Sequence, residues 1–301
     1  MAPVPARFAR LTRALRPMLS GVVALALAAC GSVSKPVQED ARPALWLARK
    51  GDQQAWLLGT VHLIPADARW DGGKVADAIN GSRRLIVEAA EIDDPQAVAA
   101  VFGRLAQTPG TPSLSPYLSK AQGQKLHDLL PAMPPGVEPW AAALMLNAEL
   151  DKHLPVATGE GVDQSLIRRF RDKRLPVVGL ESVEEQLSAF DGLPLRVQGK
   201  LLASTIDEAG QAPDAFMGMY RDWANGDVAR LGRSLNAELS GVAELRAPLL
   251  TRRNIAWDQR IDALIAPPGT ELIAVGAAHL IGPDSLIALM EKRGWRVERV
   301  Q

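Results

Sequence analysis

Two apolar runs, one near each end of the chain, close on the same pattern. Gly59-Thr60-Val61-His62 ends the first and Gly276-Ala277-Ala278-His279 ends the second. Each reads as a buried strand, then Gly, two small residues and His. The chain holds four His, and two of them fall in this context. In open α/β sheets, ligands bind beyond the carboxyl ends of the strands. Two such His, 217 positions apart, therefore predict one site assembled from both ends of the fold.

The first 29 residues read as a segment apart from that fold. Arg7, Arg10, Arg13 and Arg16 precede an apolar, Ala-rich stretch over 18–29. Twelve apolar residues suit a signal-peptide core and fall short of the roughly 20 that a spanning helix needs. The stretch ends in Leu27-Ala28-Ala29-Cys30, followed by Gly31 and Ser32. This resembles a bacterial lipobox, whose Cys is lipidated and becomes the first mature residue. Cys30 is the only cysteine, so no internal disulfide can form in what would be an oxidising compartment. With no Asp after the Cys, the resemblance implies the periplasmic face of the outer membrane, reached through the lipid anchor. Residues 30–43 then carry the lipidated Cys and a polar, Pro-containing tether.

Cleavage there leaves 272 residues, with the folded domain over 44–301. Four of the 34 basic residues lie in the leader, leaving 30 against 34 acidic ones. That balance gives no basic surface for nucleic acid.

Residues 44–48 and 55–59 flank Lys50-Gly51-Asp52 and read as a β-hairpin. A helix is expected over 71–82 and a buried strand over 84–88. Further helices are expected from Pro95, Ser115-Pro116 and Pro139, and over 158–174. Residues 175–181 read as a strand. Ser182 and Glu185 have capping-box spacing for a helix after it. Residues 194–265 read as helical with breaks near Pro213, 225–227 and Pro248. A strand over 271–275, a helix over 283–293 and a strand over 295–300 finish the chain. The fold class is therefore α/β: a mixed β-sheet from both chain ends, flanked by helices, with a long helical middle section.

Neutral imidazole is a common ligand for divalent metals, so His62 and His279 are metal-ligand candidates. Glu88 and Glu181 end two other strands. A buried carboxylate must be paired, hydrogen-bonded or metal-bound. If all four strands are neighbours, two His and two Glu converge, as ligands and as a base for water. The plainer alternative for the Glu pair is a salt bridge, for example to Arg252 or Arg253. Asp163 either joins the site or complements a helix dipole. Arg253 and Asn254 are candidates for orienting substrate or stabilising an oxyanion. No dinucleotide fingerprint, Gly-x-Ser-x-Gly elbow or His-Glu-x-x-His helix is present.

Taken in order, several blocks resemble the TraB/PrgY/GumN proteins, relatives of the animal Tiki metalloproteases. They are Leu57-Leu58-Gly59-Thr60-Val61-His62, Leu85-Ile86-Val87-Glu88, Glu160-Gly161-Val162-Asp163 and Val178-Gly179-Leu180-Glu181 with Gln186-Leu187. Arg253-Asn254, Trp257, Val275 to Leu280, Gly282 and Gly294-Trp295 complete the set. The resemblance implies a fold similar to the erythromycin-esterase and ChaN-like group. It implies a metal-dependent, peptidase-like hydrolase in which His62, His279 and Glu88 hold Mn²⁺, Co²⁺ or Zn²⁺. The expected substrate is a peptide or a polysaccharide-related molecule. The competing expectation is a non-catalytic lipoprotein that binds peptide, glycan or haem, with Tyr117 and Tyr220 the only tyrosines for haem. The identity of the metal, the substrate and the oligomeric state stay open at this point.

Overall fold

The computed structural model describes residues 40–108, 110, 113–154, 158–240, 242–265 and 269–301. The leader, Cys30 and most of the tether lie outside the described residues. Among the described residues, no helix is long and apolar enough to cross a membrane.

The expected hairpin forms. β1 (Leu45–Lys50) and β2 (Gln53–Thr60) pair antiparallel around a turn with Gly51 at φ +55°. That positive φ is where Gly costs least. β3 (Ile64–Pro65) follows, then α1 (Gly73–Gly81) and β4 (Arg84–Ala89). Leu85, Ile86 and Val87 in β4 are all buried, as a strand covered on both faces requires.

The middle section is helical: α2 (Pro95–Leu105), α3 (Lys120–Leu129) and α4 (Pro139–Asp151). Ser115-Pro116 opens only a short 3₁₀ turn, and α3 starts after Ser119, whose hydroxyl and Gln122 form the capping box. β5 (Thr158–Gly159) pairs with β3, so the helix expected from 158 begins later, as α5 (Val162–Asp172). β6 (Val177–Glu181) and α6 (Val183–Asp191) follow, with both capping-box bonds between Ser182 and Glu185 present. Then come α7 (Leu195–Glu208), α8 (Ala212–Ala224) and α9 (Val228–Ser240). A π-helical turn over Ala247–Thr251 leads into α10 (Arg252–Leu264). β7 (Thr270–Gly276), α11 (Leu286–Lys292) and β8 (Arg296–Arg299) end the chain.

The main sheet has the order β6-β4-β7-β2-β1-β8. β6, β4, β7 and β2 run parallel, while β1 is antiparallel to both its neighbours. The four parallel strands thus end along one edge. One face of the sheet packs on a core with Val75, Leu166 and Phe170, the other on Trp257, Ile261 and Met290. α2, α3, α4 and α7 build a separate core around Trp140, whose ring meets Phe102 edge-on and stacks on Phe190.

Candidate functional site

Strand register brings the predicted residues to one sheet edge. Thr60 lies opposite Gly276, and Ala89 lies opposite Glu181. His62 and His279 follow the ends of β2 and β7, which are hydrogen-bonded neighbours. Glu88 is the penultimate residue of β4 and Glu181 the last of β6.

The edge is organised by Arg253, in the first turn of α10. Its Nη2 donates to Glu88 Oε2 at 2.7 Å and to Glu181 Oε1 at 2.5 Å. Its Nε donates to Glu181 Oε1 and Oε2 at 3.1 and 3.2 Å. The guanidinium lies 4.7 Å from the Trp257 ring centre, and Trp257 Nε1 donates to Glu181 Oε2 at 3.0 Å. Glu88 also accepts from Gln186 Nε2 at 2.9 Å and from the Gly276 N–H at 2.8 Å. A Cβ on Gly276 would come within 3.0 Å of Glu88 Oε1, so the glycine of the second motif is what lets the carboxylate reach the backbone. The salt-bridge alternative for the two Glu residues is therefore the arrangement present, with Arg253 as partner.

His279 is 4% exposed and packs at a tilt against Trp257 with ring centres 4.4 Å apart. Asn254 Nδ2 donates to the Asp284 carbonyl at 2.9 Å, which turns its Oδ1 toward His279 Nδ1 at 2.6 Å. His279 Nδ1 is then the protonated nitrogen, and Nε2 faces Arg253 Nη1 at 3.3 Å and Glu88 Oε1 at 3.7 Å. Asn254, expected to meet substrate, is 1% exposed and instead sets the His279 tautomer.

His62 stands differently. Its Nδ1 lies 3.2 Å from Asp163 Oδ2, while the buried Asp163 also accepts from Thr60 Oγ1 at 2.6 Å. The side chain is 66% exposed, so its Nε2 edge is accessible. Asp163, in the first turn of α5, thus joins the site as well as the helix N-terminus. Sequence reasoning passed over Gln186 and Thr60, which hold Glu88 and Asp163, although each stands within a quoted block. It also passed over Asp151, at the end of α4, whose pKa burial raises to about 6 against the pull of the His62 charge. No local pattern marks Asp151.

The two His are driven apart in acidity. Hydrogen bonding to Asp163 raises the His62 pKa above its usual value, burial opposes, and the charge of Asp163 adds to the rise. Solvent reaches most of that ring and screens the pair, which limits the rise. Burial lowers the His279 pKa to about 4 against the pull of Glu88. Burial acts to raise the Glu88 pKa, but the charges of His279, Arg253 and His62 outweigh it and hold it near 2. With His279 neutral at pH 7, Arg253 and the charged form of His62 keep Glu88 ionised there. Burial raises the Glu181 pKa, opposed by its bonds to Arg253.

Between pH 6.5 and about 4 the unfolded chain takes up a proton at residue 279 that the folded chain does not. The His279 contribution to stability therefore falls as pH drops through that window. The Glu88 contribution is lost only lower, from pH 4.5 toward about 2. Thermal midpoints at pH 7 and 4.5 should separate by less in His279→Gln than in wild type. Equal separations would remove His279 from the account.

A metal at His62, His279 and Glu88 would need their donor atoms to converge on one point. Among the described residues, no three His, Cys, Asp or Glu side chains converge closely enough to hold an ion. His279 Nε2 and Glu88 Oε1 face each other, but Arg253 touches both residues and His62 is held by Asp163. The residues in this arrangement do not fit a resident divalent ion.

The TraB/PrgY/gumN family model matches residues 44–299. The chain belongs to that family. The chain is similar to the uncharacterized protein YbaP of Shigella flexneri and of Escherichia coli K12. Each is 26% identical over 252 residues, covering 81% of this chain and 90% of the relative. An uncharacterized protein of Treponema pallidum is 24% identical over 275 residues, covering 82% of this chain and 80% of its own. No solved structure matches.

Proposed function

We propose that this TraB/PrgY/gumN-family chain is a hydrolase whose proton-transfer group is the His62–Asp163 pair. The observation that carries this reading is the pairing itself: a buried carboxylate on Nδ1 of a His whose other edge is open. This is the division of labour of a general base and its orienting acid. Neutral His62 would take a proton from water through Nε2. Asp163 would fix the tautomer and stabilise the imidazolium, and His62 would return the proton to the leaving group. Glu88, Glu181, Arg253 and His279 would form the rigid floor under that step. Arg253 spends its donors on the protein, which argues against the oxyanion role expected for it.

The peptidase-like activity and the relation to Tiki proteases rest on the resemblance of the motif blocks. A peptide or polysaccharide-related substrate is proposed on the same ground. The lipid anchor at Cys30 and the periplasmic face of the outer membrane are proposed from the leader sequence. Tyr117 and Tyr220 give the haem-binding alternative little support. Tyr117 packs beside Gly199 in α7, and Tyr220 lies 6.1 Å from the Trp223 ring in the core.

Peptide and glycan libraries would be screened with wild type, His62→Ala and Asp163→Asn. His62→Ala should lower kcat/KM by roughly 10²–10⁴-fold while the protein stays folded. As a base with a raised pKa, His62 should make kcat/KM climb as pH rises past 6.5. Asp163→Asn should move that limb downward in pH. A fully active His62→Ala protein would end the proposal.

A further inference from the structure

We infer that the guanidinium of Arg253 is the resident cation of this site, standing in the place a divalent metal would take. The guanidinium is bound at every one of its nitrogens. Its Nη1 donates to the Leu249 carbonyl at 3.1 Å and meets His279 Nε2 at 3.3 Å. Its Nη2 reaches Glu88 and Glu181, and its Nε reaches Glu181. The five N–H donors of the fork all have acceptors. The side chain is 13% exposed, and the two carboxylates are 9% and 7% exposed.

The donor atoms of Glu88, Glu181 and His279 that face this gap are already answered. Glu88, Glu181 and His279 are spaced around a planar guanidinium whose N–H groups fill the gap between them. A divalent ion between His279 Nε2 and Glu88 Oε1 would also lie beside a buried positive charge. The guanidinium cannot be deprotonated to make room. The π-helical turn over Ala247–Thr251 presents the Leu249 carbonyl that fixes Nη1, so the backbone is part of the same fit.

This inference concerns the site of the hydrolase reading, but it is read out by metal binding and stands or falls apart from any activity. The full chain would be dialysed, analysed for metal content, and titrated with Mn²⁺, Co²⁺ and Zn²⁺ by calorimetry. Wild type should retain far less than one equivalent. Arg253→Met should leave Glu88, Glu181 and His279 facing one gap, a carboxylate and imidazole set suited to transition metals. It should bind Zn²⁺ or Mn²⁺ at least roughly ten-fold more tightly than wild type. If that variant is unfolded alone, metal should restore its circular dichroism, since ligand binding is then folding energy. Three results would overturn the inference. One is a stoichiometric metal in wild type that His279→Ala and Glu88→Gln lose. The second is a folded Arg253→Met protein that binds no tighter than wild type. The third is an unfolded variant that metal does not rescue.

Discussion

Arg253→Met should lose about 3–5 kcal/mol of unfolding free energy, the usual cost of removing one partner from a buried ion pair. Glu88 and Glu181 would be left without their cation, at side-chain exposures of 9% and 7%. Burying an unpaired carboxylate is costly, so they would protonate instead. The deficit should therefore shrink as pH falls and the carboxyls neutralise, a sign opposite to that of a packing defect. Arg253→Lys should recover only part of the loss, because an ammonium keeps the charge but cannot span both carboxylates, Leu249 and His279. Urea unfolding at pH 7 and pH 5 checks both statements. A loss under about 1 kcal/mol at pH 7 would place the cluster among weak surface pairs.

Gly161→Ala should be the most damaging change outside the ion cluster. Gly161 precedes α5 with φ −62°, a value any residue adopts, so the constraint is space. A Cβ there would lie 2.2 Å from the His62 carbonyl oxygen and 2.7 Å from its carbon. Both are backbone atoms and cannot swing aside. The segment must move, taking His62 from Asp163 and straining the Val162 N–H bond to the Val61 carbonyl at 3.1 Å. Overpacking of this kind costs about 1–3 kcal/mol. The His62 imidazole, followed by NMR, should titrate close to its ordinary value instead of above it. An unchanged titration together with an unchanged melting temperature would show that the chain absorbs the methyl group.

The elements were readable where the pattern was strong. Leu85-Ile86-Val87 and Leu272-Ile273-Ala274-Val275 are short, fully apolar runs, and both are central parallel strands. The Ser182–Glu185 spacing gave a helix start that is present with both bonds. The start of α5 was misplaced because Thr158–Gly159 has no strand signal of its own and becomes a strand only by meeting Ile64–Pro65. The convergence of His62, Glu88, Glu181 and His279 followed from strand ends alone. Which atoms touch did not. Arg252 and Arg253 are adjacent in sequence, and only the phase of α10 after the π turn decides that Arg253 enters the cluster. Asn254 behind His279, and Asp163 beneath His62, depend on packing between segments more than 20 residues apart.

The strand order also sets when a nascent chain can become a protein. β2 and β4 never touch; each borders only one side of β7. Until residues 270–276 arrive, the hairpin β1–β2 and the pair β4–β6 are two half-sheets with open apolar edges. Open edges of that kind invite pairing with other chains. Everything translated up to Leu264 must therefore wait, uncommitted, for a seven-residue wedge that comes almost last and joins the halves. A stop codon shortly before it would leave most of the domain's helices written and no continuous sheet to hold them.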